Sequence, residues 1–163
     1  MSDKKGFEPI FDDKSEVLIL GSFPSKMSFG VGFYYGNPRN RFWKMLQEFF
    51  QVELGSIEAK KNFLLNYHIA LWDIVSLGSN MQGGKESSMD KNLAPTEISD
   101  IDMLFRKTKI KTILCNGKTA YALLLKFYPY LKDKAKCLPS TGPANFRFDS
   151  RQWQAALLQY KSF

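Results

Sequence analysis

Four strand-like runs, 17–20 (VLIL), 69–72 (IALW), 111–115 (KTILC) and 135–138 (AKCL), decide what this chain can fold into. Val17-Leu18-Ile19-Leu20 is apolar throughout, as in a parallel strand covered on both faces. Between the runs, apolar residues return at helical spacing: Phe42, Met45, Leu46 and Phe49; more weakly Ile57, Ala59, Phe63 and Leu64; then Ala120, Leu123, Leu124 and Phe127. A last helix carries Trp153, Ala156, Leu157 and Tyr160 behind a cap at Asp149 or Ser150. Pro95-Thr96-Glu97 reads as one more helix start, with Thr96 as N-cap and Ile98, Ile101, Leu104 and Phe105 as its apolar face. Strands alternating with helices specify an α/β fold, a three-layer sandwich with a central, mostly parallel four-stranded sheet flanked by helices. The 163 residues are 44% hydrophobic and hold no repeat, low-complexity segment or linker, so one domain is expected over 1–163. Such sheets bind ligands beyond the C-terminal ends of their strands, which marks the loops after Leu20, Trp72, Cys115 and Leu138.

The first of these loops is long and unusual. It reads GSFPSKMSFGVGFYYGNPRNRFW from Gly21 to Trp43, with Gly21, Gly30, Gly32, Gly36, Pro24 and Pro38 allowing close backbone approach to a ligand. It is rich in aromatic residues and holds Lys26, Arg39 and Arg41. No Asp or Glu occurs between Val17 and Gln47. Such a loop suits a flat or anionic partner. A second acid-free stretch, 103–132, carries Arg106, Lys107, Lys109, Lys111, Lys118, Lys126 and Lys132, and is either a solvated face or part of a polyanion surface. The net charge of +7 and pI near 9.4 favour a polyanionic partner without requiring one. Residues 76–92, rich in Gly, Ser and Asn, read as another long loop.

Other classes are excluded by what is missing. Cys115 and Cys137 cannot make a disulfide framework, and read as buried reduced thiols. With His68 the only histidine, a Cys/His metal cage lacks ligands, and no metal or organic cofactor is expected. No run reaches membrane-spanning length and the Lys-rich start lacks the apolar core of a signal peptide, so an intracellular, cytoplasmic chain without a membrane is expected. The absence of G-x-G-x-x-G and Walker patterns argues against a nucleotide-binding protein.

A strand ending in Gly-Ser-Phe-Pro-Ser, followed in order by FYYGNPRNRFW, LWDIV, ILCNGKTA and LPSTGPAN, resembles the uracil-DNA glycosylase superfamily. The likeness is to the branch described as hypoxanthine-DNA (deoxyinosine) glycosylases, with the mismatch-specific uracil glycosylases next. It implies a monofunctional glycosylase acting on DNA that contains a deaminated base, hypoxanthine first. The alternatives are a mismatch-type uracil-DNA glycosylase and a catalytically silent nucleic-acid-binding module of the same fold. No lysine stands out for a lyase reaction, and no protein partner is indicated.

The resemblance assigns roles residue by residue. Asn40 falls at the asparagine of the P-R-N motif, where the branch places activity; an amide there orients water or donates to developing charge. It also stands where a helix N-cap belongs. Tyr35, or Tyr34 one residue earlier, is the ring under a flipped base, unless Phe33, Tyr34 and Tyr35 simply pack the loop. Asp73 stands where other branches keep an Asn that reads the base edge, and is otherwise a loop cap. Asn116 is assigned to the base as well. Gly117 and Lys118, at a strand-to-helix junction with free N–H groups, suit a phosphate. Ser25, Lys26, Arg39 and Arg41 are assigned to DNA, with plain solvation the other reading for the arginines. Ser140 and Thr141 match the second signature loop that grips the backbone, and Asn145 and Phe146 lie where relatives push a wedge into the stack.

Two positions depart from the superfamily. Phe23 replaces the water-activating Asp or Asn of uracil enzymes, and Leu138 replaces a His that meets the uracil oxygen, which favours the hypoxanthine branch. Glu86-Ser87-Ser88-Met89-Asp90 loosely resembles that branch's Gly-Ser-x-Asp element. His68, away from these loops, is expected to be structural.

Overall fold

The structure is a computed structural model that describes residues 3–82, 85–86 and 93–161. In chain order the first elements are β1 (Lys4–Lys5), β2 (Val17–Gly21), α1 (Lys26–Val31), α2 (Phe42–Phe50), α3 (Ile57–Asn66), β3 (Ile69–Asp73) and β4 (Val75–Gln82). There follow β5 (Lys85–Glu86), β6 (Leu93–Ile98), α4 (Ile101–Lys107), β7 (Thr112–Asn116), α5 (Lys118–Phe127), β8 (Ala135–Leu138) and α6 (Arg151–Leu157).

The expected parallel sheet is present, in the order β3-β2-β7-β8. Val17 to Leu20, Ile69 to Leu71, Ile113 and Leu114 are all buried, which is why these strands read as unbroken apolar runs. Helices supply the covering layers: α2 buries Phe42, Trp43, Met45, Leu46 and Phe50, and α6 buries Trp153, Ala156 and Leu157. Register brings Gly21 beside Asp73 and Asn116 beside Leu138, so the strands end along one edge. At the opposite end of β3, His68 Nδ1 lies 3.0 Å from Glu16 Oε2, a structural position.

Both outer edges of the sheet are short or covered. Beside β3, the N-H and C=O of Ile10 exchange hydrogen bonds of 2.9 Å with Leu71. β8 has four residues and exposes Lys136 and Cys137.

Four expectations are corrected. Pro95-Thr96-Glu97 does not start a helix: it lies in β6, antiparallel to β4 with Pro95 opposite Gly78, and the Thr96 hydroxyl donates to Asp3. The helix begins later, where Asp100 accepts from the Met103 N–H at 3.1 Å, because pairing with a distant strand overrides the local capping signal. Its partner β4 occupies the first part of the supposed loop 76–92, while residues 87–90 of the Glu86–Asp90 element lie outside the described residues. The loop after Gly21 contains the short helix α1, capped by Ser25 and closed by Gly32 at φ 85°. Cys137 is exposed, since β8 is an edge strand; only Cys115 is buried.

Burial, and to a lesser degree the neighbouring Cys137 thiol, push the Cys115 thiol up to about 12 from an ordinary 9.0. A folded-state value raised in this way contributes stability that is complete below about pH 9 and is lost as pH climbs toward about 12. Burial likewise raises the phenols of Tyr128 and Tyr160 above 10.0. Urea midpoints should therefore hold level to about pH 9 and fall above it, and Cys115→Ala should make that fall shallower without moving its onset, because burial also raises the Cys137 thiol above 9.0. An unchanged slope in the variant would clear Cys115 of the effect.

Candidate active site

The strand ends bring the marked loops around one cavity of about 480 Å³, within the range of small-ligand sites. Its floor is Gly21. A methyl group built there would overlap the Asp73 carboxylate and stand 2.8 Å from the Tyr35 hydroxyl, so both groups reach the floor only because Gly21 has no side chain. Asp73 is buried at the end of β3, and its backbone carbonyl accepts from the Ser99 hydroxyl at 2.6 Å.

The first wall is the segment from Ser22 to Asn40. Ser25 accepts from the Ser28 N–H at 3.2 Å and so caps α1 while lining the cavity. Tyr34 is buried, and its hydroxyl donates to the Glu8 carbonyl at 2.7 Å. Burial first, and the nearby Asp73 charge second, hold its phenol far above the usual value. Tyr34 is thus mainly a packing residue, though it touches the cavity. Tyr35 has φ 53°, a left-handed conformation that costs a side-chain-bearing residue roughly 1–2 kcal/mol. Its ring packs on Phe42 with centroids 4.1 Å apart and faces the cavity. Phe23 lines the same wall, edge-on to Phe29.

The N-cap position of α2 belongs to Arg41, and the expected cap residue Asn40 stands one place before it. Its Oδ1 accepts from the Phe42 N–H at 3.0 Å at the start of α2, and it lines the cavity. Because a backbone N–H is the donor, the oxygen must face it, and the amide Nδ2 is directed elsewhere. The preceding turn is built by Asn37, whose carbonyl accepts from the Asn40 N–H at 2.9 Å.

The second wall, 139–145, hangs from the end of β7. Asn116 Nδ2 donates to Thr141 Oγ1 at 2.9 Å while its Oδ1 accepts from the Thr141 N–H at 2.9 Å, with both residues buried. Asn145 Nδ2 donates to the Ser140 carbonyl at 2.9 Å. Arg41 is half-buried, and its Nη1 donates to the carbonyls of Gly142 and Asn145, at 3.0 Å each. Gly117 corrects another expectation, since its N–H donates to the Leu138 carbonyl at 2.9 Å and is not free for a phosphate.

Of the foreseen residues, Phe23, Ser25, Tyr34, Tyr35, Asn40, Asp73, Asn116, Ser140, Thr141 and Asn145 line the cavity. Lys26, Arg39 and Lys118 are exposed and do not. Leu138 is buried outside the lining, and Phe146 projects from the second wall at 90% exposure. Ser28 escaped the sequence reading, although its three-residue spacing from the cap Ser25 was a usable signal; Asn37 was signalled by the Asn-Pro turn. Among the described residues no group of three or more His, Cys, Asp or Glu is placed to hold a metal ion, and no helix is long and apolar enough to cross a membrane.

The family model described as the uracil DNA glycosylase superfamily matches residues 8–160. The chain is 36% identical over 160 residues to a protein of Methanosarcina acetivorans named hypoxanthine DNA glycosylase, covering 93% of this chain and 96% of that one. It is 33% identical over 149 residues to a protein of the same name from Methanosarcina barkeri, covering 88% and 89%. A solution NMR structure of a Methanosarcina acetivorans protein, named there as a candidate uracil DNA glycosylase, is similar with TM-score 0.80 and 33% identity over 98% of this chain and 99% of that one.

Asn116→Ala should cost roughly 2–5 kcal/mol, because it leaves two buried groups of Thr141 without partners. Urea unfolding measures it; a loss below about 1 kcal/mol would mean that the second wall is held mainly by Arg41.

Proposed function

The chain belongs to the uracil DNA glycosylase superfamily, and from that premise we propose that it is a monofunctional DNA glycosylase that releases hypoxanthine from DNA. The observation that carries this reading is the convergence of Asn40, Asp73 and Tyr35 on one half-enclosed cavity at the C-terminal edge of the sheet.

A base in a duplex must leave the stack to reach such a cavity, which costs unstacking energy that the pocket recovers. Tyr35, backed by Phe42, offers a flat face for the extruded base. The Asp73 carboxylate, when ionised, accepts from the N1–H of hypoxanthine, whereas adenine presents a bare acceptor at N1 and is repelled. Uracil also carries an N–H on its pairing edge, so Asp73 separates deaminated bases from adenine more sharply than from each other.

Cleavage of the N-glycosidic bond places positive character on the sugar and negative charge on the departing base. Asn40 is the residue for this step. Its Oδ1 retains a second lone pair for an attacking water, and its Nδ2 is available to donate to the leaving base. It positions and polarises; an amide does not take the proton. Phe23 leaves the place of a water-activating carboxylate apolar, which supports a purine-directed enzyme over an efficient uracil enzyme. Phe146, nearly fully exposed beside the cavity, fills the space that the base vacates. Lys26, Arg39 and Lys118 meet phosphates at the rim, so binding weakens with salt. The protein works inside the cell, on DNA carrying a deaminated base.

Single-turnover cleavage of duplexes containing one hypoxanthine, uracil or xanthine tests the reading. Asn40→Ala should lower hypoxanthine release by roughly a hundredfold or more, with DNA binding retained. Release of uracil alone by the wild type would shift the assignment to the mismatch-type uracil enzymes, and binding without any release would favour a silent module. Asp73→Asn should reduce discrimination of hypoxanthine against adenine by roughly tenfold or more, read from the same assay with an adenine-containing control.

A further inference from the structure

We infer that Ser28 and Trp43 are positioning residues that preset Tyr35 as a stacking face before any base arrives. The inference rests on the glycosylase reading for its consequence, but the grip itself is geometric. Tyr34 and Tyr35 are consecutive yet diverge: the Tyr34 hydroxyl reaches back to the Glu8 carbonyl, while the Tyr35 ring turns onto Phe42 and the cavity. That divergence uses the left-handed conformation of Tyr35, which an isolated loop would abandon.

Two hydrogen bonds bracket the residue. Trp43 Nε1 donates to the Tyr34 carbonyl at 2.8 Å, and the Gly36 N–H donates to Ser28 Oγ at 2.9 Å. One grip comes from α2 and the other from α1. The Ser28 hydroxyl is buried and lies 3.1 Å from that of Ser25, the cap of α1, so the helix start and the tyrosine segment share one polar junction. Gly36 closes the bracket by bare approach: a methyl group there would stand 3.0 Å from Val31 Cβ and 3.1 Å from Ser28 Cα. Trp43 adjoins Phe42, the ring that backs Tyr35, so the same turn of α2 supports the tyrosine through a ring and through its backbone.

A face held in this way exists in the free protein, and an arriving base meets it without reorganisation. Ser28→Ala removes one grip with almost no change of bulk, and Trp43→Phe removes the other while keeping an aromatic ring, though a smaller one, at a buried position. Both should lower the single-turnover rate of hypoxanthine release at saturating enzyme by roughly tenfold to a hundredfold, with affinity for undamaged duplex unchanged. In a Tyr35→Ala background neither should lower it further, because each acts through Tyr35. The NMR backbone coupling of Tyr35 that reports φ should leave its left-handed value in both variants. Full additivity with Tyr35→Ala, or an unchanged φ in both variants, would overturn the inference. If Ser28→Ala fails to fold, Trp43→Phe decides alone. A wild type that releases no base while φ still shifts in the variants would remove the glycosylase reading and leave the two grips on Tyr35 standing.

Discussion

The cavity depends first on the reciprocal pair of hydrogen bonds between Asn116 and Thr141. Asn116 is the last residue of β7, so its backbone is fixed by the sheet and its amide carries that rigidity across to a loop with no ladder of its own. Each bond adds only about 1 kcal/mol net in folding, but both ends are buried, and a loop displaced from Asn116 would strand four polar groups away from water. The alternatives to the observed loop position are therefore costly. The wall carrying Ser140, Asn145 and Phe146 inherits its place from one side chain, with Arg41 and the Trp153 indole, which donates to the Pro139 carbonyl at 2.8 Å, as secondary ties.

The opposite wall is built on another principle. Its key ring stands on a strained backbone, tolerable because Phe42, Trp43 and the Tyr34 anchor beneath it belong to the main core. Gly21 lets these two solutions meet, since it alone leaves room for a carboxylate from one strand and a phenol from a loop above the same α-carbon. The site thus combines a hydrogen-bonded wall and a packed wall on a floor defined by an absent side chain.

Much of this was open to inspection before any coordinates. The parallel sheet followed from runs such as Val17-Leu18-Ile19-Leu20, whose burial on both faces leaves no polar alternation to confuse the reading. Asn40, which lines the cavity, stood out through the resemblance at the P-R-N motif, whereas the local capping pattern pointed to a place that Arg41 takes. Pro95-Thr96-Glu97 misled because the partner that makes it a strand, β4, lies in a Gly- and Ser-rich stretch with a weak strand signal, and local capping rules do not register a distant pairing. The Gly117 N–H looked free for a phosphate because a residue's type declares its N–H but not whether a neighbouring carbonyl already occupies it. Cys137 was read as buried because an edge strand and a central strand of four residues look alike.

The same edges bear on how copies of the chain behave toward one another. A four-stranded parallel sheet has two rims where unpaired amides invite another strand. Here the residues around Ile10 lie along one rim as a partial fifth strand, and the other belongs to a short strand that displays Lys136. Positive charge along that second rim also repels an identical neighbour. The segment before β2, which also holds the Tyr34 hydroxyl at the Glu8 carbonyl, thereby serves as a guard against edge-to-edge pairing; trimmed away, it would loosen one wall of the cavity and expose a template for aggregation.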